Sequence, residues 1–182
     1  MQSQARITGE QLLKMSSKLI GHVELVKGGI IQMGPAGDIH GELAMILGSL
    51  LQIYVRQNHL GKVYAAETGF YTARNPDTVR AADAAFIAKH RLPENLSDGY
   101  LEIVPDLTGE VISPYDRSSE ILEKVNECLG AGVKCIWVVY PKSRQIDVYK
   151  SDSSVEILSR EDTLTGDDVI PGFQCPVTEL FE

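Results

Sequence analysis

The chain has 182 residues, the size of one compact domain that can bury roughly 70% of its unfolded surface. Hydrophobic residues make up 43% of it and charged residues 23%, which excludes a disordered or fibrous protein. The formal net charge of −8 argues against a protein that wraps nucleic acid by broad positive charge. We therefore expect one folded domain over residues 1–182.

Neither a membrane segment nor a secretory signal is predicted. The longest apolar stretch, 43–55, contains interruptions and is shorter than the roughly 20 residues that a membrane span needs. Residues 1–17 lack the apolar core of a secretory signal, so we expect a cytoplasmic protein. The three cysteines have no CxxC spacing, and they therefore indicate neither a disulfide framework nor a zinc knuckle.

The N-terminal third predicts a short helix, a hairpin and a long helix. Thr8 is a suitable cap for the short helix, which the following residues continue. A hairpin is expected over 22–33, with its turn at Gly28 and Gly29. From 38 to about 57, apolar residues recur at three- and four-residue spacing, which predicts an amphipathic helix.

The rest of the chain predicts strands around a second long helix. Strand-type runs occupy 63–66, 70–72, 79–87, 107–112, 135–139, 145–149 and 155–158. A helix is expected over 117–129, with Asp116 or Ser118 as its cap. Because this helix joins two buried strands, it is a crossover that makes them parallel. The predicted class is α/β or α+β, with a mixed β-sheet flanked by helices.

Three ionisable residues break the apolar pattern of the segments that contain them. Asp83 lies within a run of small and apolar residues, and Glu110 lies in the middle of a strand. Lys124 falls on the apolar stripe of the second long helix. Desolvating an unpaired charge costs several kcal/mol, so each of these side chains must find a partner.

Two acids on neighbouring strands and an inward lysine on the next helix suit phosphodiester hydrolysis. Paired carboxylates hold hard divalent cations such as Mg²⁺, and a lysine can stabilise the charge that develops on a phosphate. A purely structural interpretation is also open. Asp83 could pair with Arg80 or cap a turn, and Lys124 could extend along the helix to solvent.

The same residues belong to a set of separated motifs. In chain order these lie at 22–29, 40–41, 77–87, 105–114, 124, 132–139 and 166–173. Together these motifs resemble a large bacterial family of restriction-endonuclease-like proteins in the PD-(D/E)xK nuclease superfamily. The resemblance covers nearly the whole chain and implies a restriction-endonuclease-like fold.

The resemblance also implies the roles of the site residues. Asp83 and Glu110 match the catalytic acids, which hold Mg²⁺ or Mn²⁺. In the superfamily's commonest form the lysine stands two residues after the glutamate, where this chain has Ile112. In this branch the lysine has moved to the following helix, where Lys124 matches it.

Other positions matter less to the predicted site. Glu67 is a secondary candidate, either a third carboxylate or a solvated residue at a strand end. His40 is another, although a histidine at a helix start is more often a cap or a packing residue. The chain departs from the family pattern at Ala82, Cys128 and Tyr140, where a proline, an aromatic residue and an aspartate are usual.

The leading prediction is a metal-dependent endonuclease acting on DNA. The alternative is a catalytically silent nuclease-fold protein that binds nucleic acid or a protein partner. A homodimer or higher homo-oligomer is expected, because enzymes that cut both strands of a duplex are often two-fold symmetric.

The acidity is concentrated at the C-terminal end. Residues 151–182 hold eight acids and one base and carry −7, whereas residues 1–150 carry −1. Weak, metal-dependent and salt-sensitive binding of nucleic acid is therefore expected.

Overall fold

The computed structural model describes residues 6–15, 21–66, 68–95 and 97–182. Its helices are α1 (Gly9–Met15), α2 (Asp38–Gln57), α3 (Ser118–Ala131) and α4 (Val177–Leu180). Its strands are β1 (His22–Val26), β2 (Gly29–Met33), β3 (Gly61–Ala65), β4 (Gly69–Ala73), β5 (Thr78–Ala81), β6 (Ala84–Ala88), β7 (Leu107–Val111), β8 (Cys135–Tyr140), β9 (Gln145–Lys150), β10 (Val155–Leu158), β11 (Thr163–Thr165) and β12 (Gln174–Pro176). A 3-10 turn follows β6 at Lys89–Arg91.

The central element is a six-stranded mixed sheet in the order β10-β9-β8-β7-β6-β3. Strands β7 and β8 are parallel and are joined by α3, so the predicted crossover is confirmed. The other neighbours in this sheet are antiparallel. Strands β2-β1-β5-β4 form a second sheet, and β11 pairs with β12. The predicted mixed sheet is therefore present, but it holds only some of the predicted strands.

Helices cover both faces of the six-stranded sheet. On one face lie the buried side chains of α2, which are Leu43, Leu47, Leu51 and Val55. Phe86 and Trp137 belong to the same core cluster. On the other face, Val125 and Cys128 of α3 share a cluster with Val138. The predicted helix over 38–57 is confirmed, and none of the helices in the described ranges is long and apolar enough to cross a membrane.

The run predicted as one strand over 79–87 is two strands in different sheets. β5 pairs with β1 and β4, whereas β6 pairs with β3 and β7. Between them, Ala82 and Asp83 are outside both strands. The carboxylate of Asp83 accepts a hydrogen bond from the backbone N–H of Val111 at 2.7 Å. Asp83 thus lies at the point where the chain leaves one sheet for the other, not within a strand.

The hairpin turn is one residue earlier than predicted. Lys27 and Gly28, not Gly28 and Gly29, have positive φ angles of 50° and 79°. The N–H of Lys27 donates to the Thr78 hydroxyl at 3.0 Å, and that of Gly28 donates to the Asp77 carbonyl at 2.8 Å. These hydrogen bonds stabilise the turn. They join residues that are far apart in the sequence, so no local sequence pattern predicts them.

The cap predicted for α3 is also wrong. The helix begins at Ser118 after Arg117, which makes no side-chain capping bond. Asp116 instead accepts the N–H of Ser113 at 2.7 Å and so closes the preceding turn. Gly132 ends the helix with a φ of 108°, a left-handed conformation that favours glycine.

Two glycines make a matched test of the packing between β3 and β6. A Cβ built on Gly61 would overlap the backbone carbonyl oxygen of Ile87, whereas one on Gly48, within α2, meets nothing within 4 Å. We expect Gly61→Ala to lower the free energy of unfolding by about 1–3 kcal/mol because the strands must separate. Gly48→Ala should raise it by about 0.5–1 kcal/mol through helix propensity. Urea denaturation measures both, and the same sign for the two variants would contradict this packing.

Candidate active site

The structure brings Asp83, Glu110 and Lys124 together. Strands β6 and β7 pair with Ala84 opposite Gly109, so the preceding Asp83 lies beside the following Glu110. Lys124 extends from α3, and its Nζ lies 2.9 Å from Glu110 Oε2. The convergence expected from the sequence is therefore found in the geometry, while the catalytic roles of the three side chains stay a prediction.

The Lys124 ammonium is surrounded by oxygen atoms. It donates to the Ala81 carbonyl at 2.7 Å and to Glu110, and it lies 3.0 Å from Oε1 of Glu24. Burial by itself would lower the pKa of Lys124, but the negative charges of Glu110 and Glu24 outweigh burial and raise it. Lys124 is therefore protonated and held inside the cluster, so the alternative in which it extends to solvent does not occur.

Glu24 is the site residue that the sequence analysis missed. It lies in β1, is 3% exposed, and accepts the N–H of Ala81 at 3.0 Å. Burial alone would raise its pKa, yet the charges of Lys124 and Arg80 lower it. Its signal was available, because Glu24 lies between Val23 and Leu25 in an apolar strand just as Glu110 does in its own.

Arg80 connects this glutamate to α3. Its Nη1 donates to Glu24 Oε2 at 2.8 Å, and its Nε and Nη2 donate to the two oxygens of Glu127 at 3.0 and 2.8 Å. The pairing of Arg80 with Asp83 that the sequence left open is not formed. Because Glu127 lies one helical turn after Lys124, Arg80 fixes α3 against the strand that carries Glu24.

The two candidate metal-binding acids are partly buried, with 14% of the Asp83 side chain and 18% of the Glu110 side chain exposed. Burial raises the pKa of Glu110 to about 7, where Lys124 opposes this shift and the charge of Asp83 reinforces it. The two carboxylates therefore repel each other, which a cation between them would relieve.

His40 and Glu67 were the secondary candidates. His40, in the first turn of α2, places its Nε2 3.3 Å from Asp83 Oδ2. The interaction with Asp83 raises the pKa of His40 against the opposing effect of burial. Its Nδ1 is buried and has no hydrogen-bond partner among the described residues. Glu67 lies outside the described residues.

The donor set of Asp83 and Glu110 fits a hard divalent cation. Asp83 Oδ2 accepts a hydrogen bond from the Val111 N–H, and Glu110 Oε2 accepts one from Lys124. The other two oxygens, Asp83 Oδ1 and Glu110 Oε1, make no hydrogen bond to the described residues. Within those ranges no group of three or more His, Cys, Asp or Glu is spaced to hold a metal ion. Two carboxylates with the remaining positions open to water and phosphate oxygens are typical of Mg²⁺ sites.

The net charge around the two carboxylates also favours binding of a cation. When fully ionised, four carboxylates and two cations leave a net charge of −2 in the cluster of Glu24, Arg80, Asp83, Glu110, Lys124 and Glu127, and a protonated His40 beside Asp83 would make it −1. A bound cation would offset this excess of negative charge.

The mixed sheet and its flanking helices define a restriction-endonuclease-like fold. Asp83 and Glu110, where β6 begins and β7 ends, form what we call the acidic cluster. The chain belongs to the Uma2 family, described as "Putative restriction endonuclease", whose model matches residues 10–178. Membership in this family supports a nuclease function.

A solved structure shares the fold. It is a crystal structure of a "putative nuclease belonging to DUF820" from Anabaena variabilis ATCC 29413, with a TM-score of 0.76 and 20% sequence identity. The alignment covers 93% of this chain and 96% of that one. A comparison with curated proteins gives no match.

Glu24 can be tested for its part in holding the cluster together. We expect Glu24→Gln to lower the free energy of unfolding by at least about 2 kcal/mol, because it leaves Lys124 and Arg80 short of one buried counter-charge. The matched control is Glu102→Gln, since Glu102 is 69% exposed and pairs with Arg74. That variant should change stability by less than about 1 kcal/mol. Chemical denaturation measures both, and equal effects would contradict the role given to Glu24.

The pH dependence of the same difference provides a control. The pKa of Glu24 in the folded protein lies below its ordinary value of 4.5, so its stabilisation is fully present above that value. The stability difference between wild type and Glu24→Gln should therefore shrink as the pH falls below about 4.5.

Proposed function

We propose that the chain is a metal-dependent endodeoxyribonuclease in which Asp83 and Glu110 hold Mg²⁺ or Mn²⁺. The observation that carries the proposal is the position of these two carboxylates side by side at the ends of β6 and β7, each with one oxygen fixed and one free. Family membership supports the reaction class, and the description of the family as restriction endonucleases supports DNA as the substrate.

The protein groups around the acids orient them. The N–H of Val111 fixes Asp83 Oδ2, and His40 Nε2 approaches the same oxygen. Lys124 fixes Glu110 Oε2, so both free oxygens belong to carboxylates that cannot rotate without losing a bond. A bound divalent cation would supply Lewis-acid polarisation of a phosphodiester oxygen.

We assign Lys124 an electrostatic role. Its ammonium has an oxygen neighbour for each of its three N–H bonds, and its pKa is raised. It is therefore poorly suited to give up a proton. Its positive charge, fixed beside Glu110, is suited to stabilise the negative charge that develops on the phosphate during hydrolysis.

His40 is proposed as a positioning residue for Asp83. Its contact is with Oδ2, and Oδ1 of the same carboxylate makes no hydrogen bond to the described residues. For cutting both strands of a duplex, two copies of this site related by two-fold symmetry are the simplest arrangement, and we propose a homodimer.

Cleavage of DNA tests the proposal. Wild type should cut duplex DNA with Mg²⁺ or Mn²⁺ and lose this activity in a chelator. Asp83→Asn and Lys124→Gln should each lower the cleavage rate by at least about 100-fold, because one removes a cation ligand and the other a fixed positive charge. Glu102→Gln, which changes an exposed carboxylate outside the cluster, should cleave as wild type does.

Two outcomes would contradict the proposal. If wild type cleaves neither DNA nor RNA with either metal, the catalytically silent alternative is favoured. If Asp83→Asn keeps wild-type activity at unchanged thermal stability, the cleavage site lies elsewhere.

A further inference from the structure

A second positively charged feature lies away from the acidic cluster. The last turn of α2, the start of β3 and the 3-10 turn after β6 enclose an open concavity of about 450 Å³. Its lining includes Arg56, His59, Lys62 and Lys89 and contains no acidic residue. We call this feature the basic cleft.

The cations of the basic cleft are held close together by the backbone. His59, with a φ of 54°, reverses the chain directly after α2 so that Gly61 can begin β3 opposite Ala88. The N–H of Lys89 donates to the carbonyl of Leu60 at 2.8 Å. The backbone segments that carry these cations are therefore brought together by the fold, and not only by the flexibility of the side chains.

These cations are not neutralised. Arg74, Arg80 and Lys124 all pair with carboxylates, but Arg56, Lys62 and Lys89 have no ion pair with any residue in the part of the chain that the structure describes. The C-terminal end of α2 contributes only about −0.5 charge, which three full positive charges outweigh. The basic cleft is thus a local concentration of positive charge on a protein whose net charge is −8.

The shape of the basic cleft favours a chain of phosphates over an enclosed small molecule. Arg56, Lys62 and Lys89 are all exposed, whereas small-molecule sites usually bury most of their ligand among apolar side chains. Contacts from exposed lysines and arginines are typical of binding to the phosphate backbone, which carries no sequence information.

The basic cleft and the acidic cluster lie at opposite ends of the same elements. Lys89 follows Asp83 by six residues along β6, which corresponds to roughly 20 Å at the rise of a strand. Helix α2 likewise runs from His40, beside Asp83, to Arg56. On one strand of B-DNA that distance spans about six nucleotides at roughly 3.4 Å each.

We propose that Arg56, Lys62 and Lys89 bind the phosphate backbone of the nucleic acid about six nucleotides from the bond placed at Asp83 and Glu110. This inference rests on the proposed function, because it takes the acidic cluster as the place of cleavage. The basic cleft supplies affinity and register, and the acidic cluster supplies the chemistry.

Equilibrium binding with Ca²⁺ in place of Mg²⁺, over a time in which the probe stays intact, tests this inference without any cleavage. The variant is Arg56→Gln, Lys62→Gln and Lys89→Gln combined, and the probe is a fluorescein-labelled DNA duplex of about 20 base pairs followed by anisotropy. The matched control combines Lys142→Gln, Arg144→Gln and Arg160→Gln, three cations that also form no ion pair with the described residues. Both triple variants change the net charge equally.

We expect the cleft variant to bind the duplex at least about 10-fold more weakly and to lower the slope of log affinity against log salt by up to about three. The control should stay within about 3-fold of wild type. Equal losses in the two variants would reduce the effect to net charge and overturn the inference, as would unchanged binding by the cleft variant. Inorganic pyrophosphate is the second probe. If the cleft variant loses pyrophosphate binding but still binds DNA as wild type does, the basic cleft is a site for a free anion and the inference is also overturned.

The two proposals can fail separately. Loss of DNA binding by the cleft variant, with no cleavage by wild type under any condition, would support the basic cleft and reject the nuclease. Cleavage by wild type, with unchanged DNA binding by the cleft variant, would support the nuclease and reject the role proposed for the basic cleft.

Discussion

The structure around the candidate site depends on one partly buried charge, the ammonium of Lys124. Its three oxygen neighbours come from β1, from the end of β5 and from β7, while the lysine itself belongs to α3. One side chain therefore joins the two larger sheets and the crossover helix. Removing a buried charge from such a cluster leaves its partners unpaired, and this penalty is larger than the net stabilisation that the intact ion pairs provide.

A second cation, Arg80, also pairs with the buried Glu24. Glu24 is almost fully buried, and both Lys124, which is shared with Glu110, and Arg80 lower its pKa. Arg80 supplies the additional positive charge and is itself held by Glu127. Even so, the carboxylates of the cluster outnumber its cations. This excess of negative charge is costly in the protein alone and is the property that a divalent cation site needs.

The sequence revealed the candidate site because its residues violate local patterns. An acid in an apolar strand and a lysine on an apolar helical stripe are visible without any structure, and Asp83, Glu110 and Lys124 were found in this way. Glu24 met the same criterion and was overlooked. The role of Arg80 could not be predicted, because which carboxylate an arginine meets depends on how two sheets are placed relative to each other.

Other features lay beyond local sequence patterns for physical reasons. The period of two that identifies strands does not say which strands pair, so a single run over 79–87 concealed a change from one sheet to another at Ala82 and Asp83. The basic cleft was hidden for a different reason. In the sequence, exposed cations such as Arg56 and Lys62 resemble ordinary solvated residues, and only the fold brings them together. The net charge of −8 moreover argues against a nucleic-acid-binding surface.

A crystal structure of the protein grown with Mn²⁺ tests most directly whether Asp83 and Glu110 hold a divalent cation. Anomalous scattering identifies the position of the metal independently of any activity. We expect a peak bonded to one oxygen of Asp83 and one oxygen of Glu110, with Lys124 still hydrogen-bonded to Glu110. Well-ordered carboxylates without a peak between them at saturating Mn²⁺ would contradict it.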